Sequence, residues 1–147
     1  MTLVDTTVWI DLFAGRNTSL VSLFEWLTVK REDICLCGVI LTEILQGIKD
    51  EKEYSKTESI LSSLIFLPME RNTFLFAADI YRSMRSKGIT IRNSIDFMIA
   101  AVCIENGIPI LHNDKEFDLI AKEFDLKVLK IWSEDIRAMN LELAFER

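Results

Sequence analysis

MTLVDTTVWIDLFAG, residues 1–15, decides how the rest of the chain is read. The run Thr2 to Val4 is short and nearly all apolar, the pattern of a strand buried on both faces. It ends in Asp5, and after Thr6 and Thr7 a second apolar segment begins at Val8. An acid where the chain changes direction suits two roles: it can cap the helix that follows, or form one wall of a metal site. The remaining sequence bears on which.

Four further β-rich runs follow: ICLCGV (34–39), LIFL (64–67), IPIL (108–111) and KVLKI (127–131). Helical spacing fills the intervals. The repeats are Leu20, Leu23, Phe24 and Leu27; Leu41, Ile44, Leu45 and Ile48; Phe74, Ala77, Ala78 and Tyr81; Ile95, Met98, Ile99 and Val102; and Phe117, Ile120, Ala121 and Phe124. Strands without a polar face, alternating with helices, predict an α/β fold in which helices cover both faces of a mostly parallel sheet. The charged stretch KDEKEYSKTES (49–59) reads as a solvated helix face or a helix connection. Residues 133–147 read as a last helix carrying Ile136, Met139 and Leu143.

Half of the 147 residues are hydrophobic and only 5 are Gly and 2 Pro, so one domain spanning 1–147 with its own core is expected. No apolar run approaches the roughly 18 to 20 residues that cross a bilayer, and the N-terminus lacks a basic region followed by a signal-length apolar stretch, so a cytoplasmic protein is expected. Cys35, Cys37 and Cys103 are odd in number and sit among apolar residues, which favours free thiols in the core over disulfides or zinc. The net charge of −6 argues against a general electrostatic grip on nucleic acid. It leaves a local one open, because acids gathered in a cleft become a cation site.

In an open parallel sheet, ligands bind outside the carboxyl ends of the strands. Asp5 follows TLV, and Asp114 follows IPIL after His112 and Asn113. Asp96 lies in NSIDFMIAA, and Glu43 in LTEILQG, off the apolar stripe of its helix. Singly, each has an ordinary explanation: caps at Asp5 and Asp114, a first-turn acid behind Asn93, an exposed helix residue at Glu43. Together they are costly. Two carboxylates about 4 Å apart repel by roughly 4 kcal/mol at an effective dielectric near 20, so three or four must protonate, separate or bind metal. Oxygen ligands favour Mg²⁺ or Mn²⁺, which suit phosphate substrates.

The order VDTTVWIDLFAG, TEILQG, IDFMIAA and HNDKEFD resembles the PIN-domain endoribonucleases of the VapC toxin type over nearly the whole chain. The resemblance implies a three-layer fold with five parallel strands between helices, and a divalent metal among Asp5, Glu43, Asp96 and Asp114. Thr7 matches the family's small hydroxyl residue after the first acid, placed to bond Asp5 or a water on the metal. It also implies an RNA substrate, a homodimer and a cognate antitoxin. His112 departs from the pattern, since the family often has Thr or Ser two residues before the last acid; it reads as a structural His at a strand end or as a contact to substrate phosphate.

On this reading Asp5, Asp96 and Asp114 hold Mg²⁺, while Glu43 binds or orients the attacking water. Arg82, Arg85, Lys87 and Arg92 either hold flanking phosphates or form a solvated basic face. Trp26, Trp132, Met139 and Leu143 are candidates for a partner surface. Two alternatives stay open. One is an Mg²⁺-dependent phosphatase or phosphoacceptor domain with Asp5 as nucleophile, disfavoured by Thr7 standing where such a class carries a second acid. The other is a catalytically silent PIN-fold protein-binding module.

Overall fold

The computed structural model describes residues 1–131 and 134–139. Four strands, β1 (Thr2–Val4), β2 (Ile34–Cys37), β3 (Ile65–Leu67) and β4 (Ile110–Leu111), form one sheet in the order β3-β2-β1-β4. Every pairing is parallel. The helices are α1 (Thr6–Phe13), α2 (Ser19–Val29), α3 (Gly38–Gln46), α4 (Glu51–Ser62), α5 (Arg71–Ser86), α6 (Ser94–Asn106) and α7 (Lys115–Glu123).

β1 and β2 are buried along their whole length, as strands with helices above and below must be. β3 is the edge, and Ile65 and Phe66 are exposed on it. β1 is central: Leu3 pairs with Cys35 on one side and Ile110 on the other. The chain winds outward from β1 through β2 to β3, then returns over α5 and α6 to β4 on the opposite side of β1. Connections therefore diverge between β1 and β4, where an open α/β sheet presents its ligand crevice.

The core runs through the apolar face of each helix and almost all of α6, where Phe97 and residues 99–103 are buried. A helix apolar nearly all round belongs in an interior, and α6 ends at Gly107, whose φ of 63° turns the chain toward β4. The three cysteines are free and buried, as expected from their surroundings. Among the described residues no helix is long and apolar enough to cross a membrane.

Two expectations change. The sheet has four strands where five were expected, because KVLKI contributes only a bridge between Val128 and Ile110. Ile110 donates its N–H to Lys127 and accepts that of Leu129, both at 2.9 Å. β4 then ends at Leu111, so the ladder has no further partner to offer. The stripe on α5 is also shifted. Thr73, Ala77, Ile80 and Met84 face the core, while Phe74 and Tyr81 are exposed. Thr73 is accommodated there because its hydroxyl donates to Glu105 at 2.8 Å and accepts the Glu70 N–H at 3.1 Å.

Residues 134–139 are helical, with Met139 buried and Ile136 half-buried. Trp26 is half-buried and lines a cleft together with Met139. Trp132, Leu143 and the remainder of the expected tail helix lie outside the described residues.

Candidate metal centre

Asp5 leaves the sheet at the end of β1 and caps α1. Its Oδ2 accepts the Thr7 backbone N–H at 3.0 Å and the Thr7 hydroxyl at 2.6 Å. Thr7 Oγ1 in turn accepts the N–H of Asn113 at 3.0 Å. With the Asp5 N–H donating to Leu111 O at 2.9 Å, the ends of β1 and β4 are joined by backbone and side chain together. The expectation that Thr7 bonds Asp5 is met.

Asp114 caps α7, accepting the Glu116 N–H at 2.9 Å. Asp96 lies in the first turn of α6, which Asn93 caps by accepting the Ile95 N–H at 3.1 Å. Asp96, Asp114 and Glu116 each offer a carboxylate oxygen within 4.8 Å of the others. Asp5 and Glu43 stand outside this closest trio. Asp5 still acts on it, since its negative charge bears on Asp96. Glu43 is half-buried, held by the Thr6 hydroxyl at 2.7 Å one residue beyond Asp5.

Glu116 escaped the sequence reading. A second acid two residues after a capping acid is what the positive end of a helix favours in any case, so it carried no separate signal. The one available cue was its position on the same first turn as Asp114, which follows directly from a strand end.

The electrostatics record the crowding. Asp96 keeps its proton up to about 8, first because burial strips its water, next because the protonated carboxyl bonds Glu116, and then through the charges of Asp114, Asp5 and Glu116. Burial also pushes Glu116 up, but the Arg92 N–H at 3.2 Å, the Asp96 carboxyl and the Asn93 N–H outweigh it and hold Glu116 below its ordinary range. Asp5 is raised by burial against the opposing bonds from Thr7 and Thr6. His112 is lowered by burial, in opposition to the charges of Asp118, Asp5 and Asp114.

Beyond the proton shared by Asp96 and Glu116, the described residues supply no donor to Asp96 Oδ2 or Glu116 Oε2, both buried. Buried carboxylate oxygens with no donors, converging from two helices, fit a hard divalent cation: it replaces the missing donors and removes the repulsion together. The trio can hold a metal.

The basic residues are dispersed. Lys87 is bound to Glu123, Arg82 lies 3.8 Å from Asp79, and Arg85 donates to the Tyr81 hydroxyl at 3.4 Å. Of these four, Arg92 stands beside the acids: its backbone N–H donates to Glu116 and its charge acts on that carboxylate.

Known proteins are similar to this chain in sequence and in fold. The family model for the PIN domain matches residues 2–123. Ribonuclease VapC11 of Mycobacterium tuberculosis is 34% identical over 129 residues, covering 86% of this chain and 96% of the relative. Ribonuclease VapC2 of Rickettsia felis is 26% identical over 123 residues, covering 80% and 90%. Among solved structures, DNA-bound VapBC from Salmonella typhimurium superposes with a TM-score of 0.72 at 19% identity, over 87% of this chain and 96% of that one. VapBC2 from Rickettsia felis, bound to a promoter DNA fragment, gives 0.70 at 20% identity over the same shares. At these identities the superpositions speak for the fold, and the family model and the mycobacterial relative speak for descent. The chain belongs to the PIN-domain family.

Proposed function

We propose that this chain is an endoribonuclease dependent on Mg²⁺ or Mn²⁺ and the toxin of a toxin–antitoxin pair, with 1–147 forming one nuclease domain. The observation that carries the reading is the Asp96, Asp114 and Glu116 trio at the β1/β4 divergence, with Asp5 beside it. Relatives named ribonuclease supply the reaction class. Neighbouring structures that are toxin–antitoxin complexes favour a small protein partner.

Asp96, Asp114 and Glu116 would hold the cation, with Asp5 completing the site. When bound, Mg²⁺ or Mn²⁺ supplies Lewis-acid polarisation of a phosphoryl oxygen and lowers the pKa of water at neutral pH. The protein's own part is positional. Thr7 fixes which Asp5 oxygen faces the crevice, by spending Oδ2 on two hydrogen bonds. Glu43, restrained by Thr6, orients the attacking water. Arg92, whose charge acts on Glu116, meets a phosphate flanking the scissile bond, with Arg82 and Arg85 on α5 as further phosphate contacts and Lys87 committed to Glu123.

The free buried thiols and an RNA substrate favour the cytoplasm, and a homodimer is retained as part of the reading. Among the described residues no feature favours a phosphoenzyme at Asp5 over this scheme. The deciding experiment is cleavage of RNA by purified protein with Mn²⁺, with EDTA, and with Asp96→Asn. Loss of cutting in the last two is expected. Cutting that survives both overturns the reading.

A further inference from the structure

His112 is the one imidazole in the chain, and the catalytic scheme leaves it without a task. Its Nδ1 accepts the backbone N–H of Asp114 at 3.1 Å. A ring nitrogen accepts only while it carries no proton, so this ring bears its hydrogen on Nε2. Nε2 is buried and lies 3.7 Å from Asp118 Oδ1. The ring packs against Phe117 with centroids 5.0 Å apart and planes tilted by 52°. One side chain at the end of β4 thus engages the cap of α7 and two residues of its first turns.

We propose that His112 is a positioning residue for the cation site, its Nδ1 setting the backbone from which the Asp114 and Glu116 carboxylates project. The bond from side chain i to the N–H of residue i+2 is the one an Asn or Ser oxygen makes in an Asx or ST turn. Here an aromatic nitrogen makes it, and the ring's bulk adds packing against Phe117 that a small side chain lacks. The neighbouring N–H, that of Asn113, is held from the other direction by Thr7 Oγ1. Two successive amides of the loop are therefore anchored, one to α1 and one to His112, and the acids that follow inherit a fixed origin. The inference rests on the reading of Asp96, Asp114 and Glu116 as a cation site.

Metal-free, ¹⁵N-labelled protein gives a single imidazole in long-range ¹H–¹⁵N correlation spectra, and the Nε2–H tautomer is expected. Mn²⁺ affinity is then measured by calorimetry for wild type, His112→Asn, His112→Gln and His112→Leu, each checked by a thermal melt. Asn places an oxygen where Nδ1 stood and should bind within about threefold of wild type, whereas Gln and Leu leave the Asp114 N–H unmet and should lose about tenfold or more, as supporting residues around metal ligands do. If His112→Leu does not fold, the Asn and Gln pair decides. An Nδ1–H tautomer, equal losses in Asn and Gln, or no loss in any variant overturns the positioning role. The two levels separate cleanly: wild type that binds no Mn²⁺ sinks the cation site and this inference with it, whereas wild-type binding with unchanged variants sinks this inference alone.

Discussion

Asp96 on α6 and Glu116 on α7 bring carboxylate oxygens within 4.8 Å of each other, and of the two it is Asp96 whose pKa is raised and Glu116 whose pKa is lowered. The division follows from their surroundings. Glu116 receives backbone N–H bonds from the segment that precedes α6, while Asp96 lies deeper and faces three other negative charges. Two helices that begin in one crevice have thus been given acids that cannot all ionise without help.

Stability of the metal-free protein should therefore fall as pH rises. Asp96 in the unfolded chain releases its proton near the ordinary aspartate value of 3.8, whereas in the folded protein burial and the neighbouring acids push it up to about 8. Between those values the native state binds more protons, so each step up in pH favours unfolding. Glu116, lowered when folded, acts in the opposite sense: its contribution is present above its unfolded value and is lost as pH falls through the folded one. Melts in EDTA between pH 5 and pH 8 should show a declining Tm, and Asp96→Asn should flatten the decline. A slope that Asp96→Asn leaves unchanged assigns the titration to another group.

Added cation should reverse the loss. Mass action gives about 2.7 kcal/mol of stabilisation at a hundredfold excess over the dissociation constant. The gain should be greater at pH 8 than at pH 5, where binding must first expel the Asp96 proton. Melts of chelator-treated protein with saturating Mn²⁺ check this; a Tm that does not move at either pH counts against the site.

Asp5→Asn should abolish cleavage yet leave the metal-free fold within about 1 kcal/mol of wild type, because Asn caps α1 nearly as well as Asp and removes a negative charge. Thr7→Val is the complement. It leaves every acid in place but breaks the link from Asp5 to Asn113, so a loss of about 1 kcal/mol and weakened Mn²⁺ binding are expected, with Thr7→Ser restoring both. Near-wild-type cutting by Asp5→Asn, with an active parent, removes Asp5 from the mechanism.

Asp5 and Asp114 were legible because each stands where an apolar strand gives way to a helix, a junction visible in the sequence itself. The cap at Asn93 placed Asp96 on a first turn, where an acid is ordinary, and its grouping with the other acids came from the resemblance carried by IDFMIAA. What remained hidden depends on contacts far apart in the chain. Glu43 shows as off the apolar stripe, but its bond to Thr6 spans 37 positions. The buried face of α5 turns on Thr73, which reads as polar until Glu105 is brought to its hydroxyl. KVLKI has the composition of a strand, and its reduction to one bridge is set by where β4 ends rather than by its own residues.

The acids should also carry part of the restraint that a partner imposes. Ile10 and Phe13 on α1 are exposed by 49% and 40%, and with Ile44 and Ile48 they line a groove that reaches Glu43. An amphipathic antitoxin segment laid in this groove buries apolar area at one end and, with an Arg or Lys entering the acid cluster, pairs charge at the other. The two ends can be separated by mutation. Phe13→Glu should weaken antitoxin binding tenfold or more, by roughly 1.4 kcal/mol at least, and leave RNA cleavage unchanged. Asp5→Asn combined with Asp96→Asn should weaken binding too, more at low salt than at high salt, since exposed parts of a charge pair are screened within about 10 Å at 0.1 M. Mg²⁺ should compete with the partner in the wild type alone. Calorimetric titration of the pair decides between mechanisms: an affinity indifferent to the double acid substitution and to Mg²⁺, yet sensitive to Phe13→Glu, means that the partner restrains the nuclease from the groove by blocking access and leaves the acids unpaired.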